Sequence, residues 1–553
     1  MTFDFSKYAD ELLYVPLGGS NEIGMNLNLY HFNGKWLMVD CGIGFAGESL
    51  PGVDIIVPDV SFIAERKEDL LGLVLTHAHE DHVGAVPYVW REFGCPIYAT
   101  PFTAAFLHHK LSEMGPGTKP RVVEMDVGSS VQIGPFGIEL IELTHSIPEM
   151  QAVAITTEAG VVMHTGDWKF DADPLIGPVS DYAQLSKYGD GKVLAMVCDS
   201  TNVFVEGESG SEGEVRKHLT KVIADCKQRV VVSTFASNFA RVATIIQAAH
   251  DAGKMVALAG RSLHRVVEAA KESGYLDPKM EFISDKEVMN LPRKDVLVLC
   301  TGNQGEPRAA LSRIARGDHP NIRLQPGDTV IFSSRKIPGN EMRINAMHNR
   351  FVEKKIEVIS EKDFFIHVSG HPAREELKRM YSMVRPQIAV PTHGEARHLH
   401  EHALLAKSLG VKETVEAHNG AIVWLAAGEA SVIGKVHSGY VAIDGTSMIA
   451  TDGDIIRTRR KLRDDGALFV SVTLGKDGDL MAPVQLAAPG ILDAAEDEEL
   501  IAECLAEVTH ALSQTKQRAG DKQIVEQVRM CLRKMLKKEL DKKPVIEVHV
   551  VRV

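Results

Sequence analysis

The feature that most restricts the fold of this chain is a change of rhythm along its apolar segments. From about residue 12 to 205, short apolar runs such as "KWLMVDCG" and "VLAMVCDSTN" end in Gly, His, Asp, Ser or Thr, as sheet strands with polar ends do. From about 209 to 365, strands such as "RVVVSTF" alternate with helical segments such as "FARVATIIQAAHDAG", which predicts a parallel, doubly wound sheet. The first style then returns in "FFIHVSGH" and "QIAVPTHGE". We therefore expect one α/β domain inserted into another.

The length of 553 residues is too great for a single core, so we expect several domains. The interrupted domain is predicted at 1–208 and 366–451, and the inserted domain at 209–365. A charged linker at 452–466 leads to a small α+β domain at 467–553, where "ALFVSVTL" and "PVIEVHVVRV" read as strands around helices.

Net charge and cysteine usage limit which binding partners and which cellular compartment can be expected. The net charge of −13 argues against a general polyanion-binding surface, although a local basic channel or bound metal ions can still accommodate nucleic acid. Seven scattered cysteines without a CxxC pair indicate reduced thiols in a cytoplasm. No apolar stretch approaches transmembrane length, and the start of the chain lacks the pattern of a signal peptide, so no membrane association is expected.

A basic cluster lies in the predicted linker: Arg457, Arg459, Arg460, Lys461 and Arg463. Contact with RNA is one interpretation of this cluster, and a solvated linker is the favoured one.

The segment "LTHAHEDHVGA" places histidines and acids directly behind an apolar strand. In extended backbone, residues two apart point the same way, so His77 and His79 can converge on one ion. Asp81 and His82 follow at the start of a predicted helix, where they can serve a second ion. A polar surface loop is the alternative, but four potential ligands within six residues favour zinc or manganese.

Further ligands are expected at other strand ends. His145 in "THSIPE", Asp167 in "HTGDWK" and His393 in "PTHGE" each follow an apolar run. Taken singly, each is compatible with an ordinary strand-end residue. Together with the first cluster they complete a metal-binding pattern.

These motifs resemble those of the ribonuclease J family, the bacterial β-CASP nucleases of the metallo-β-lactamase superfamily. The similarity covers nearly the whole chain and rests on "GGSNEIGMN", "VDCG", "LPGVDIIVPD", "LTHAHEDHVGA", "THSIPE", "HTGDWK", "FASN", "TGNQGEP", "IPGNE", "HVSGH" and "PTHGEARHL". HxHxDH alone would indicate only the superfamily. The resemblance implies an α/β fold: a metallo-β-lactamase αββα sandwich with an inserted doubly wound β-CASP domain and a small α+β C-terminal domain.

The resemblance also implies a ligand set for two divalent ions, zinc first and manganese as the alternative. His77, His79 and His145 would hold one ion, and Asp81, His82 and His393 the other, with Asp167 bridging them. Asp81 would additionally orient the attacking water, and such paired ions hydrolyse phosphodiesters to leave a 5′-phosphate and a 3′-hydroxyl.

Two loops are implied to bind the substrate. His371 is the candidate proton donor to the leaving oxygen, a task within reach of a histidine, and its alternative is an ordinary loop histidine. The "HVSGH" loop, made of His367, Val368, Ser369, Gly370 and His371, would hold the nucleotide and the 5′ end of RNA. Phe235, Ser237 and Asn238 of "FASN" are the remaining substrate-binding candidates.

The rim of the inserted sheet offers an independent indication of a phosphate-bearing substrate. Its strand ends carry small, hydroxyl and amide residues together with Arg261, Arg335 and Lys336. Turn geometry alone is the alternative, but four such ends favour a phosphate-tracking cleft. "TGNQGEP" is predicted to run from a strand into a helix, where backbone N–H groups meet an anion. Asn303 stands where the family typically has serine, which puts one substrate contact in doubt.

The implied activity is 5′-to-3′ exonucleolysis of 5′-monophosphorylated single-stranded RNA, with endonucleolytic cutting besides, in RNA maturation and decay. A homodimer or homotetramer formed through the C-terminal domain and partners in RNA degradation are further implications. The rivals are a DNA nuclease, a small-molecule metallohydrolase and a non-catalytic assembly subunit. The presence of His393, the insertion and the full ligand set disfavour them in that order.

Overall fold

A computed structural model describes residues 3–115, 119–189, 191–514 and 519–553. The chain divides into two compact units, one formed by 1–44 with 57–439 and the other by 45–56 with 440–553. None of the helices in these described ranges is both long and apolar enough to cross a membrane.

The chain first builds most of a two-sheet layer structure. After a short 3-10 turn at Phe5–Tyr8, its strands are β1 (Leu13–Gly18), β2 (Ser20–Asn21), β3 (Leu27–Phe32), β4 (Lys35–Val39), β5 (Gly44–Phe45), β6 (Ile55–Pro58), β7 (Leu70–Val74), β8 (Ile97–Ala99), β9 (Val122–Glu124), β10 (Ser130–Ile133), β11 (Phe136–Glu142), β12 (Gln151–Thr157), β13 (Gly160–His164) and β14 (Val193–Asp199). Its helices are α1 (Ser61–Ala64), α2 (Glu80–Val83), α3 (Val86–Phe93), α4 (Pro101–Glu113) and α5 (Tyr182–Ser186).

The inserted segment follows with helices and strands in alternation. Its elements are α6 (Glu212–Asp225), β15 (Val230–Ser233), α7 (Phe239–Asp251), β16 (Met255–Ala259), α8 (Arg261–Glu272), β17 (Val296–Cys300), α9 (Ala310–Arg316), β18 (Thr329–Phe332), α10 (Glu341–Glu353) and β19 (Glu357–Ile359).

The remaining elements complete the first unit and form most of the second. They are α11 (Arg374–Val384), β20 (Ile388–Thr392), β21 (Gly394–Glu395), α12 (Ala396–Ser408), β22 (Glu413–Thr414), β23 (Ala421–Trp424), β24 (Ser431–Lys435), β25 (Tyr440–Asp444), β26 (Ser447–Ala450), α13 (Asp454–Asp465), β27 (Ala467–Leu474), β28 (Gln485–Ala487), α14 (Glu498–Ser513), α15 (Asp521–Leu540) and β29 (Val545–Arg552).

Two sheets face each other in the first unit. An eight-stranded sheet has the order β24-β23-β1-β3-β4-β7-β8-β9, and a seven-stranded sheet has the order β10-β11-β12-β13-β14-β20-β22. Their inner faces share one core, in which Tyr30 and Leu37 pack with Val153 and Val390. A second core joins the outer face of the seven-stranded sheet to α11 and α12. This layering confirms the predicted αββα sandwich.

The inserted sheet is fully parallel, with the order β16-β17-β15-β18-β19. Helices α9 and α10 cover one face through Leu311 and Phe351. Val230 and Val232, which alternate with the core residue Val231, are also fully buried, so both faces of the sheet are covered, as a parallel sheet requires. The predicted doubly wound domain is therefore confirmed.

The second unit contains a separate core between the three-stranded sheet β28-β27-β29 and helices α14 and α15. The charged stretch 452–466, expected as a solvated linker, is instead helical over Asp454–Asp465. Ile456 of this helix is buried, and Arg459 forms two hydrogen bonds with Asp444. The basic side chains therefore belong to an amphipathic helix. The domain boundaries drawn from the sequence stay predictions.

A buried ion pair ties the start of the inserted domain to its end. The Arg241 guanidinium donates to both oxygens of Glu212 at 3.1 and 2.9 Å. It also donates to the carbonyl oxygens of Ser333 and Ile366, at 3.0 and 2.9 Å. One side chain thus links α6, α7, the end of β18 and the segment leading back to the sandwich.

We predict that Arg241→Ala lowers the free energy of unfolding by about 3–5 kcal/mol, because it leaves the buried Glu212 carboxylate without its partner. Urea denaturation followed by circular dichroism measures the change. Lys221→Ala, which removes an exposed cation from α6, serves as the control. Equal stability of the two variants would contradict the prediction.

A second stability prediction concerns Glu142 at the end of β11. Burial, and then the nearby carboxylates of Glu149 and Asp181, raise the pKa of Glu142 to about 7. From about pH 4.5 to about pH 7 the folded state holds a proton that the unfolded state releases, so this group makes stability fall as pH rises. Glu142→Gln should remove that decline in thermal unfolding, whereas Glu158→Gln at an exposed site should leave it unchanged.

Candidate metal centre

The predicted ligands lie just beyond strand ends of the two facing sheets. His77 and His79 follow β7, and the next ligands, Asp81 and His82, lie in the short helix α2. The loops after β11, β13 and β20 carry the other three, which are His145, Asp167 and His393. Strands from both sheets therefore deliver ligands to one edge of the sandwich.

The structure brings all seven side chains together in two overlapping groups. The first contains His77, His79, His145 and Asp167, and the second contains Asp81, His82, Asp167 and His393. Within each group the potential ligand atoms lie within 4.8 Å of one another. Asp167 belongs to both groups, as a bridging ligand would.

One ring nitrogen of each histidine is held from behind, which leaves the other nitrogen for the cluster. His79 Nε2 donates to the Ser237 carbonyl at 3.1 Å, and His145 Nδ1 donates to the Gly370 carbonyl at 2.6 Å. The free nitrogens, His79 Nδ1 and His145 Nε2, then face each other at 3.0 Å. Such outer partners set the tautomer and orientation of metal-binding imidazoles.

Asp40 and Asp199 are functional candidates that the sequence reasoning missed. Asp40 accepts from His82 Nδ1 at 2.7 Å, and Asp199 accepts from His371 Nδ1 at 2.8 Å. Both acids are fully buried. In the sequence both stand at the ends of apolar runs, in "VDCG" and "VCDSTN", and "VDCG" is also one of the motifs that carry the family resemblance.

Glycines and left-handed backbone conformations allow the segments that carry the ligands to pack closely together. A Cβ atom on Gly42 would lie 1.6 Å from the Asp81 carbonyl oxygen, and one on Gly370 would lie 2.7 Å from the His145 ring. Asp40 and His393 have left-handed φ angles of 63° and 51°. Such conformations are uncommon outside glycine and concentrate at functional sites.

The carboxylates of the cluster stabilise positive charge on neighbouring histidine side chains. Burial opposes the charged form of His82, yet Asp167, Asp40 and Asp81 outweigh it and raise the pKa of His82 well above its usual value. His77 lies on the side of the cluster richer in histidine, where burial and then the charge of His82 hold its pKa well below the usual value.

The residues present fit divalent metal ions. His77 Nε2 is buried without a hydrogen-bond partner among the described residues, although its Nδ1 contacts the Thr76 hydroxyl at 2.9 Å. An orphaned nitrogen of this kind is costly unless a further group binds it. Imidazole nitrogens with carboxylate oxygens are ligands suited to zinc and manganese.

The "HVSGH" loop lies directly against this cluster. Gly370 contacts His145 as described, and the Ser369 hydroxyl accepts from Asn202 Nδ2 at 2.7 Å. The ring of His371 lies 5.5 Å from that of His393, centroid to centroid. His367 and Val368 are turned inward: Val368 is buried, and burial followed by the charge of Arg241 lowers the pKa of His367 to about 3.

The "FASN" segment bridges the inserted domain and the ligand loops. Besides the contact of Ser237 with His79, Ala240 N donates to the Ser146 carbonyl at 3.2 Å. Asn238 caps α7 by accepting from Arg241 N at 2.9 Å, and the Phe235 side chain is partly exposed. The segment therefore positions ligands through its backbone.

The rim residues of the inserted sheet divide into two groups. Asn303 and Lys336 line one pocket, whereas Arg261 begins α8 and Arg335 is exposed. The segment "TGNQGEP" follows β17 as expected, but it does not itself enter a helix. Strand β17 ends at Cys300 and α9 begins at Ala310, so turns bonded through Gly302 and Glu306 separate them.

Family comparisons cover most of the chain. Residues 26–196 match the metallo-beta-lactamase superfamily and 227–351 match the ribonuclease J beta-CASP domain. Residues 355–418 match the Zn-dependent metallo-hydrolase RNA specificity domain, and 454–553 match the ribonuclease J C-terminal domain.

Relatives named ribonuclease J match over almost full length. The chain is 40% identical to the Sinorhizobium meliloti protein, over 98% of both chains. It is 42% identical to the Mycolicibacterium smegmatis protein, over 84% of this chain and 83% of that one. A crystal structure of an Enterococcus faecalis V583 protein of unknown function shares the fold, with a TM-score of 0.55 and 15% identity over 75% of this chain and 100% of that chain.

We predict that Asp40→Asn weakens metal binding about 10- to 100-fold, because an amide holds His82 Nδ1 less firmly than a carboxylate does. Competition with a fluorescent chelator measures the affinity. Asp69→Asn is the control, since it changes an acid that pairs with Lys35 near the surface. Unchanged affinity in the Asp40 variant would rule out its role in holding the ligand.

Proposed function

Since the chain belongs to the ribonuclease J family of metal-dependent nucleases, we propose that it degrades single-stranded RNA from the 5′ end. The substrate is RNA with a 5′-monophosphate, the direction is 5′ to 3′, and internal cleavage is a second activity. RNA maturation and decay in the cytoplasm are its proposed setting. All seven cysteines lie in the described ranges and none forms a disulfide, which supports a reducing compartment.

The contact between the "HVSGH" loop and the ligand cluster carries this proposal. The Gly370 carbonyl is bonded to His145 itself, so a 5′ nucleotide bound by Ser369 and Gly370 would present its first phosphodiester to the cluster. A 5′-triphosphate would bring extra bulk and charge to the same loop. This arrangement supports exonucleolytic progress from a monophosphate end.

We assign two divalent ions to the site, zinc first and manganese second. His77, His79 and His145 would hold one ion, Asp81, His82 and His393 the other, and Asp167 both. When bound, such ions make water more acidic and stabilise the negative charge that develops on the phosphate.

The protein's own groups position the reactants and move protons. The Asp81 side chain, 30% exposed, accepts a hydrogen bond from the attacking water. Burial opposes the charged form of His371, but Asp199 and Asp167 raise its pKa above the usual value. The protonated His371, held at Nδ1 by Asp199, donates from Nε2 to the leaving 3′ oxygen as the P–O3′ bond breaks. The products carry a 5′-phosphate and a 3′-hydroxyl.

The second unit is proposed to pair subunits into a dimer or tetramer. The outer face of its sheet exposes Phe469 on the central strand β27 and Val551 on β29. Apolar residues exposed in this way support an interface. We also propose that the protein associates with other proteins of RNA degradation.

The test is a time course on single-stranded RNA labelled at its 5′ nucleotide. We expect immediate release of labelled mononucleotide from 5′-monophosphorylated RNA, and far slower release from the triphosphate form or from DNA. Asp81→Ala/His82→Ala should abolish release because it removes two ligands, and His250→Ala, at an exposed position on α7, should not.

Other results would redirect the assignment. Internal fragments that form irrespective of the 5′ group would make the protein an endonuclease. Equal cutting of DNA would overturn the choice of RNA. Absence of metal-dependent cutting would favour the alternative that the protein is a non-catalytic assembly subunit.

A further inference from the structure

Glu80, which stands between the expected ligands His79 and Asp81, is bound by two cations. Its Oε2 accepts from Lys110 Nζ, and its Oε1 accepts from Arg265 Nη1 at 3.3 Å. Lys110 belongs to α4 of the sandwich, whereas Arg265 belongs to α8, which lies between strands β16 and β17 of the inserted sheet. One carboxylate in the metal-binding motif therefore joins a cation from each of the two domains.

The two cations are largely buried and are held in place by further contacts. The side chains of Lys110 and Arg265 are 10% and 14% exposed. Arg265 also donates three hydrogen bonds to Glu113 of α4, at 3.1, 2.8 and 2.7 Å, and its guanidinium carbon lies 5.8 Å from the centroid of the Phe106 ring. Isolated surface ion pairs contribute little, but a network with a bidentate arginine is an exception. The cations and the two glutamates therefore form one network across the contact between α4 and α8.

Helix α2 depends on outside contacts for its position. It contains four residues, Glu80–Val83, which is about one turn of an α-helix. Two of its carbonyl oxygens accept from neighbouring backbone: that of Asp81 from Asn26 N at 2.8 Å, and that of His82 from Cys41 N at 2.7 Å. The Glu80 side chain adds contacts with α4 and α8. Because Asp81 and His82 are consecutive residues of this short helix, a rotation of α2 would move both ligands together.

Gly84, directly after α2, leaves space for the Glu80 carboxylate. A Cβ atom on Gly84 would lie 2.7 Å from Glu80 Oε2, the oxygen that Lys110 binds. The φ angle of Gly84 is −64°, which any residue adopts, so the backbone conformation does not require glycine here. The space is therefore what the missing side chain provides, and it keeps the carboxylate within reach of its cations.

We propose that Lys110 and Arg265 are positioning residues for metal binding. They act through Glu80, and the groups that they orient are the α2 ligands Asp81 and His82. The inference rests on the proposed two-ion site, in which these ligands hold the second ion. It gives the inserted domain a part in binding that ion which does not involve RNA.

The inserted domain would then support the ligands of both ions by separate routes. Its Ser237 carbonyl accepts from His79, which is assigned to the first ion. Arg265 reaches the second ion's ligands through Glu80. Loss of Arg265 should therefore affect one ion far more than the other, whereas a general loosening of the fold would affect both.

The first test is isothermal titration calorimetry of the metal-free full-length protein with zinc chloride. Arg265→Ala should lower the affinity for one of the two ions about tenfold, the lower end of the effect of removing an outer partner of a ligand. Lys110→Met removes the ammonium group at similar length and should act in the same way, and it carries the test if Arg265→Ala does not fold. Arg265→Lys, which keeps the charge, should restore part of the affinity.

Glu272→Gln is the matched control. Glu272 pairs with His109 at 3.0 Å across the same contact between α4 and α8, and this pair does not include Glu80. The control should bind zinc as the wild type does. Equal weakening in Glu272→Gln and Arg265→Ala would mean that any loosening of the contact lowers the affinity, and it would overturn the proposal.

A double-mutant cycle decides whether Arg265 acts through Glu80. Glu80→Gln keeps the size of the side chain and removes the charge that both cations bind. In the Glu80→Gln background, Arg265→Ala should weaken zinc binding no further, because the interaction is already lost. Additive losses would reveal a route that is independent of Glu80 and would contradict the proposal.

Electron paramagnetic resonance with manganese provides a spectroscopic signature. Two Mn²⁺ ions that share Asp167 as a bridge are magnetically coupled, and their signal differs from that of a single bound ion. At a manganese concentration that just fills both sites of the wild type, Arg265→Ala should give the single-ion signal and Glu272→Gln the coupled one. A fully coupled signal from Arg265→Ala would count against the positioning role.

These measurements separate a failure of the positioning role from a failure of the proposed function. If the wild type cleaves no RNA while Arg265→Ala still binds zinc more weakly than Glu272→Gln, the proposed function fails and the positioning role stands. If the wild type cleaves RNA and Arg265→Ala and Lys110→Met bind zinc as tightly as the wild type, the function stands and the positioning role is wrong.

Discussion

The crowding of imidazoles and carboxylates at one buried edge is the constraint on which the rest of this structure depends. Taking such groups out of water is costly unless each is bonded or carries a compensating charge. The protein meets this requirement with an outer layer of acceptors: Asp40 behind His82, Asp199 behind His371 and backbone carbonyls behind His79 and His145. Each acceptor orients one nitrogen and leaves the other free.

That outer layer explains why the inserted domain is part of the site. The carbonyl of Ser237 comes from the inserted domain, and the carbonyl of Gly370 comes from the segment that leads out of it. The buried pair of Arg241 and Glu212 fastens the same two regions, since Arg241 also donates to the Ile366 carbonyl. The position of the inserted domain and the orientation of the ligands are therefore coupled through a short chain of hydrogen bonds.

The same edge of the inserted sheet carries the features proposed to bind RNA. The "HVSGH" loop contacts the ligand cluster, and Arg335 is exposed beyond the end of β18, which neighbours β15. A formal charge of −13 need not repel RNA when the groups that meet it are local. A cation such as Arg335 at the rim of the inserted sheet can supply the attraction that the acidic exterior does not.

The sequence by itself determined the two-part α/β architecture and which residues stand at strand ends, because apolar periodicity and polar termini are local properties of the chain. The seven expected ligands could be named in this way and by resemblance, though periodicity could not tell which of them would meet. Only the tertiary structure decided the outer partners, the helix at Asp454–Asp465 and the turns that separate β17 from α9. His145 and Gly370 are 225 residues apart, and no local pattern encodes such a contact. Long-range packing places each second nitrogen against its acceptor.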